Sequence, residues 1–262
     1  MKHLVLLLLL LLPSCIIDAQ YVKQREGEKW GVNEYKYLEL GNKMEEYISQ
    51  NMYNSAIECL AEMFSLECTN ANREKDMYAS IHCTLQLEEY DTVIGLADEY
   101  EKAFPDSPRL YSILGNKGFA YAVGKKDYRN AISSLEKALL LVPSSDYSKR
   151  SLYCEYIGES YFLLKNNFLS RQFYKKAILY FLKLENVSIT SIETSGINSP
   201  HLGQLFLDYR SPYIDDYNVF MYLNYLAVKC NNPKAREDYS YLLEDSSYLI
   251  YKSKVPSDLF SE

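Results

Sequence analysis

Apolar residues recur along this chain at the i, i+3, i+4 and i+7 positions of amphipathic helices, and the helical segments come in pairs. Within the pairs a short residue follows an aromatic one at a fixed offset. Tyr53 precedes Ala56 and Ile57, Tyr90 precedes Val93 and Ile94, and Tyr128 precedes Ala131 and Ile132. Ala56, Val93, Ala131 and Ser170 stand 37, 38 and 39 residues apart. The string Leu-Gly-Asn-Lys occurs at Leu40 to Lys43 and again, two such intervals on, at Leu114 to Lys117. A weaker copy, with Ala235, Tyr239 and Leu242, is displaced by an extra segment of about 25 residues. A period in this range predicts a stack of helical hairpins. The short residue marks where the second helix of a hairpin crosses the first, and the residue four positions on fills the groove between hairpins. Pro105 and Pro143 fall where second helices are expected to stop.

The extra segment, about 184–212, interrupts this pattern. Val187 to Thr194 is rich in β-branched residues, and Gly196, Pro200 and Pro212 punctuate the remainder of the segment. A short helix is expected around His201–Tyr209. A connection this long is either functional or packed over one face, or else a tolerated lengthening of one hairpin connection, and truncating 187–211 is expected to leave partner capture intact. The boundaries expected are a leader over 1–19, a linker over 20–34, the helical array over 35–250 and a tail over 251–262. Asp215 and Asp216 are expected to supply charge at a helix N-terminus.

The formal net charge of −7 over 262 residues argues against nucleic acid as a partner. With 26 tyrosines but only 10 glycines and 8 prolines, the composition suits a mostly helical chain. Lys2 and His3 precede an apolar run, Leu4 to Leu12, too short to span a bilayer, which reads as a secretory signal. Two exits compete. Leu12-Pro13-Ser14-Cys15 resembles the lipobox of bacterial lipoproteins, which would make Cys15 the acylated residue; the other is cleavage after Ala19. Without Cys15 the cysteines are Cys59, Cys68, Cys83, Cys154 and Cys230, an odd and scattered set that suits buried free thiols better than a disulfide framework. Zinc-protease, paired-cysteine, phosphate-loop and nucleophile-elbow motifs are missing, so neither a cofactor nor a metal nor a catalytic set is expected. His82 and Cys83 are adjacent on a helix, about 100° apart, and do not form a nucleophile pair.

The stretch Gly118 to Pro143 resembles the tetratricopeptide repeat, through Gly118, Tyr121, Tyr128, Ala131, Leu135, Ala138 and Pro143, with one extra residue in its turn. The resemblance extends over 35–250 apart from the extra segment. It implies an all-α, right-handed superhelical solenoid of about five hairpins, whose first helices line a concave groove for a peptide or partner helix. By that register the groove carries Asn42, Glu45, Tyr78, His82, Asn116, Phe119, Tyr156 and Glu159. Gly41 and Glu45 stand where carboxylate-clamping members of the family have basic and amide groups, so a C-terminal carboxylate is not the expected ligand. The implied function is a non-catalytic protein-interaction scaffold of a bacterial envelope, in the periplasm or at the outer membrane, held to the membrane only through a lipid on Cys15. In build it resembles the outer-membrane assembly lipoprotein. The competing expectation is an enzyme whose site gathers around Asp208, Tyr209 and Arg210.

Overall fold

The structure, a computed structural model, describes residues 32–68, 72–243 and 247–260. The leader, Cys15 and most of the linker lie outside the described residues. Those described form helices and turns, with no strand among them. The expected all-α fold of stacked helical hairpins is the one observed. The chain divides into two compact units, Met1–Ala120 and Tyr121–Glu262.

In the first unit α1 (Val32–Ser49) pairs with α2 (Tyr53–Ser65), and α3 (Arg73–Gln86) with α4 (Tyr90–Ala103). Helix α3 also packs on α2, and α5 (Leu110–Phe119) on α3 and α4. Tyr37, Leu40, Met44, Leu60 and Met63 close a core with the short residues Ala56, Ala79 and Cys83. Arg73 ties hairpins together: its guanidinium donates to the carbonyls of Met63 (2.9 Å) and Leu66 (2.7 Å) at the end of α2.

In the second unit α6 (Tyr128–Leu141) packs on α7 (Tyr147–Leu163), and α7 pairs with α8 (Asn167–Glu185). The extra segment is helical. It forms α9 (Ile189–Ser195) and α10 (Pro200–Arg210), and α10 packs between α8 and α11 (Tyr217–Lys229). The short helices α12 (Pro233–Tyr239) and α13 (Ser247–Lys252) lie against α11. Ile192, Leu202, Leu205, Phe206, Leu207 and Tyr209, all from the extra segment, belong to the core of this unit. The segment is therefore packed into this unit, as one of the expected alternatives has it, and is not a bare lengthening of one connection. Buried Glu193 pins α9, accepting from Tyr222 and from Lys252 (2.6 Å).

The short residues sit where the pattern predicts. Ala56, Val93, Ala131 and Ser170 are 0% exposed and Ala235 is 1% exposed. Six helices start at Asn or Asp residues whose side chains accept the backbone N–H three positions on: Asn72, Asp127, Asp146, Asn166, Asp216 and Asn232. The hairpin turns share one geometry. Asn51, Glu88, Lys126, Lys165 and Asn231 all have positive φ, each two residues before the second helix begins. The next N–H then reaches back to a carbonyl of the first helix: Met52 to Tyr47, Glu89 to Thr84, Asn166 to Tyr161 and Asn232 to Ala227. Each spans five residues, the pattern that closes a helix over a left-handed residue. In the remaining turn Asp127 reaches six residues back, to Tyr121, and residues Ala120–Lys125 wind as a π-helix. The extra residue of that repeat is absorbed there.

Candidate functional site

Six residues of the expected groove belong to the first unit. Asn42 is exposed, and Asn116 is half-buried. Glu45 accepts from the Lys75 ammonium at 2.7 Å. The Arg109 guanidinium lies over the half-buried Tyr78 ring at 5.7 Å, and His82 meets Tyr53 edge-on at 6.0 Å. Phe119 is 8% exposed and packs on Tyr90, with ring centroids 6.3 Å apart. The other two belong to the second unit, where Tyr156 is 2% exposed and Glu159 half-buried. Phe119 and Tyr156, expected in the groove, are thus buried packing residues. Truncating them would mix a loss of binding with a loss of stability.

The second unit brings together a set of groups that sequence order keeps apart. Glu155 and Glu159 share a face of α7, one turn apart. His201, Gln204 and Asp208 share a face of α10, and Tyr174 comes from α8. Gln204 Nε2 donates to Asp208 Oδ1 at 2.9 Å. His201 packs its ring on Phe181, 5.0 Å between centroids, and its Nε2 stands 3.6 Å from Glu155 Oε2. Glu155 is 3% exposed, and its Oε2 has no hydrogen-bond partner.

Burial and mutual repulsion govern the protonation of this set. Burial first, then the charges of Asp208 and Glu159, holds the Glu155 carboxyl well above the usual carboxylate range. Glu159 is raised by burial and then by Asp208. Burial pushes Asp208 up to about 6, against the pull of Gln204, Arg210 and Lys234. Tyr174 is raised by burial and by all three carboxylates, which places its hydroxyl within reach of their field. Burial pulls His201 down to about 4. The arrangement is a concentration of acceptors with a neutral imidazole beside them.

Asp208, Tyr209 and Arg210 part company. Tyr209 bonds to the Tyr213 hydroxyl (3.0 Å) and faces Phe260. Arg210 donates to the side-chain amide oxygen of Asn224 and stacks on Phe220 (4.9 Å) and Tyr239 (5.4 Å). Only Asp208 joins the acidic set. Sequence reasoning missed Glu155, His201, Gln204 and Tyr174. The available signal was Glu155 and Glu159 at i, i+4 without a cation between them, but Asp208 is 49 residues beyond Glu159 in sequence. Among the described residues no group of three or more His, Cys, Asp or Glu side chains is arranged to hold a metal ion, and no helix is long and apolar enough to cross a membrane. No family model matches the chain, and no curated protein matches it either.

Proposed function

We propose that the chain is an exported array of tetratricopeptide type that binds a segment of another protein along the first helices of its hairpins. What carries this reading is the recurrence of one hairpin: a fully buried short residue in the second helix and a left-handed turn residue two positions before that helix, repeated in both units. Such repetition is how solenoid scaffolds present a continuous row of first-helix side chains. The right-handed superhelix of about five hairpins belongs to the same proposal. So does residence in the periplasm or at the outer membrane of a bacterium, with a lipid on Cys15 as its membrane contact.

Crosslinking and capture from the native envelope, with the mature chain as bait, tests it. Tyr78→Ala combined with Asn116→Ala is expected to weaken capture about tenfold, about 1.4 kcal/mol, with far-UV circular dichroism unchanged. Equal capture by wild type and variant overturns the groove.

One observation favours a second reading, a hydrolytic site at Asp208. Its charge acts on Glu155 and Glu159, His201 Nε2 stands 3.6 Å from Glu155 Oε2, and burial spreads their protonation as acid–base pairs require. Release of nitrophenol from a panel of nitrophenyl esters and glycosides, lost in Glu155→Gln, would support that reading; no release above buffer removes it.

A further inference from the structure

The segment after α13 returns to the second unit as a short strap. Lys252, Ser253, Lys254, Pro256, Ser257 and Asp258 are exposed, and Val255 is half-buried. Leu259 is 5% exposed and belongs to the core of the unit. Phe260 meets two rings of α10, with centroids 5.9 Å from Phe206 and 6.3 Å from Tyr209, edge-on in both cases. Lys175 of α8 donates from its ammonium to the Asp258 carbonyl at 2.7 Å. The backbone N–H groups of Ser253, Lys254, Val255 and Leu259 donate to the carbonyls of Leu249, Tyr251, Lys252 and Pro256. The strap thus closes its turns on itself, and its anchors in the body are two adjacent apolar side chains and one carbonyl.

The wall it sits on has supports of its own. The Tyr209 hydroxyl bonds to that of Tyr213 at 3.0 Å. The Arg171 guanidinium lies 4.1 Å over the Tyr213 ring and donates from Nε to the Pro212 carbonyl at 3.0 Å. No residue of the strap takes part in these contacts, so they persist when the strap is away. A wall held in place beforehand gives up little freedom when something docks on it. Left bare, Phe206 and Tyr209 would present apolar rings to water, which favours any occupant that covers them again.

We propose that this seat on α8 and α10 recognises a leucine–phenylalanine pair on a segment of another protein, with residues 253–260 as the built-in occupant that gives way. The strap shows the chemistry that fits: a branched apolar side chain followed directly by an aromatic one. Lys175 reads a main-chain carbonyl one residue ahead of the pair, which fixes the direction in which the segment lies. An acidic residue at that place, as Asp258 is, also suits the ammonium. A second copy of this chain can offer its own strap only by undoing the four turn bonds, whereas a free segment needs no such step. The inference goes beyond the groove reading: the seat lies in the second unit and uses none of the groove residues. Its own strap lowers the apparent affinity by the fraction of time the seat is open, which makes the strap a gate.

The test is fluorescence anisotropy of a labelled Gly-Pro-Ser-Asp-Leu-Phe-Gly amide with the full chain, as wild type and as Leu259→Ala combined with Phe260→Ala. The double variant is expected to bind at least about tenfold more tightly than wild type. A peptide with Ala-Ala in place of Leu-Phe is expected to bind neither. Adding Lys175→Met to the double variant is expected to weaken binding about fivefold, the loss of one hydrogen bond. Equal binding of the two peptides overturns the site, as does no binding by a double variant whose far-UV circular dichroism matches wild type. A wild type that is dimeric by light scattering, and monomeric as the double variant, assigns the seat to a second copy and overturns the proposal. Should the double variant fail to fold, hydrogen exchange of wild type decides. Excess Leu-Phe peptide, and not the Ala-Ala peptide, is expected to speed exchange of the Leu259 amide and leave α10 unchanged; no change at Leu259 overturns the gate. Capture by the Tyr78 and Asn116 variant reads the first unit, so groove and seat can each fail alone.

Discussion

At the scale of single residues, the short positions of the hairpins were legible because close helix crossing leaves room for little else. The charged residues were not. Asp76 falls in the first turn of α3, where an acidic residue ordinarily faces water, yet it is 0% exposed. The Tyr37 hydroxyl sits 2.9 Å from both its oxygens, and Arg73 Nη1 lies at 3.6 Å. Burial nonetheless pushes Asp76 up to about 6, outweighing the Tyr37 hydrogen bond and the Arg73 charge. A carboxyl whose native pKa lies above its unfolded value favours the folded state when protonated. Its contribution is full below the ordinary 3.8 and is lost as pH rises through about 6. Urea unfolding of wild type and Asp76→Asn across that window should show wild type losing stability relative to the variant as pH rises. A pH-independent difference would contradict the assignment.

At the scale of elements, the extra segment shows where propensity gives way to packing. Its start is rich in β-branched residues, which fit strands better than helices, yet α9 forms there. Ser188 and Ser191 cap it reciprocally, and Ile192 is 0% exposed. A hairpin repeat pattern cannot register such a helix, because its reason is the neighbouring α11. Helix α10, expected from His201–Tyr209, runs a little further at each end. Gly203 shows how closely it is held: a Cβ there would stand 2.6 Å from Asn232 Cβ and 3.1 Å from the Ala227 carbonyl. Gly203→Ala should therefore cost about 1–3 kcal/mol by overpacking. Gly95, exposed in the middle of α4, would place a Cβ with nothing within 4 Å, and Gly95→Ala should add about 1 kcal/mol. Thermal melts of the two variants should move in opposite directions; a shared direction would contradict the packing described for α10.

At the scale of the molecule, the sequence pattern reads as one array, while the chain divides into two compact units at Ala120. The division falls inside the stretch that most resembles the repeat. The pattern reports the closure of each hairpin, which is alike in both units, and is blind to which hairpins share a core. The acidic set was illegible for the same reason, since Glu155 of α7 and His201 of α10 meet through packing and not through the repeat. The N-terminal expectation is tested in cells. Cys15→Ser should abolish fatty-acid labelling and release the chain from membranes, whereas a mature N-terminus at Gln20 would discard lipidation.

The cysteines among the described residues are all free, and four of the five are buried. Burial pushes the thiols of Cys83, Cys154 and Cys230 up to about 12. Only the thiolate reacts, and at neutral pH that leaves roughly one thiol in 10⁵ in reactive form, already shielded from reagent. In an oxidising compartment the folded chain would thus carry its thiols unharmed, and the hazard lies in the time it spends open. The same property makes them a clock. Half-buried Cys68 should alkylate first, and Cys83, Cys154 and Cys230 only as fast as the structure around them opens. Cys83 reports on the first unit and the other two on the second. Matching rates would mean that the units open as one; separate rates would mean that each keeps its own time.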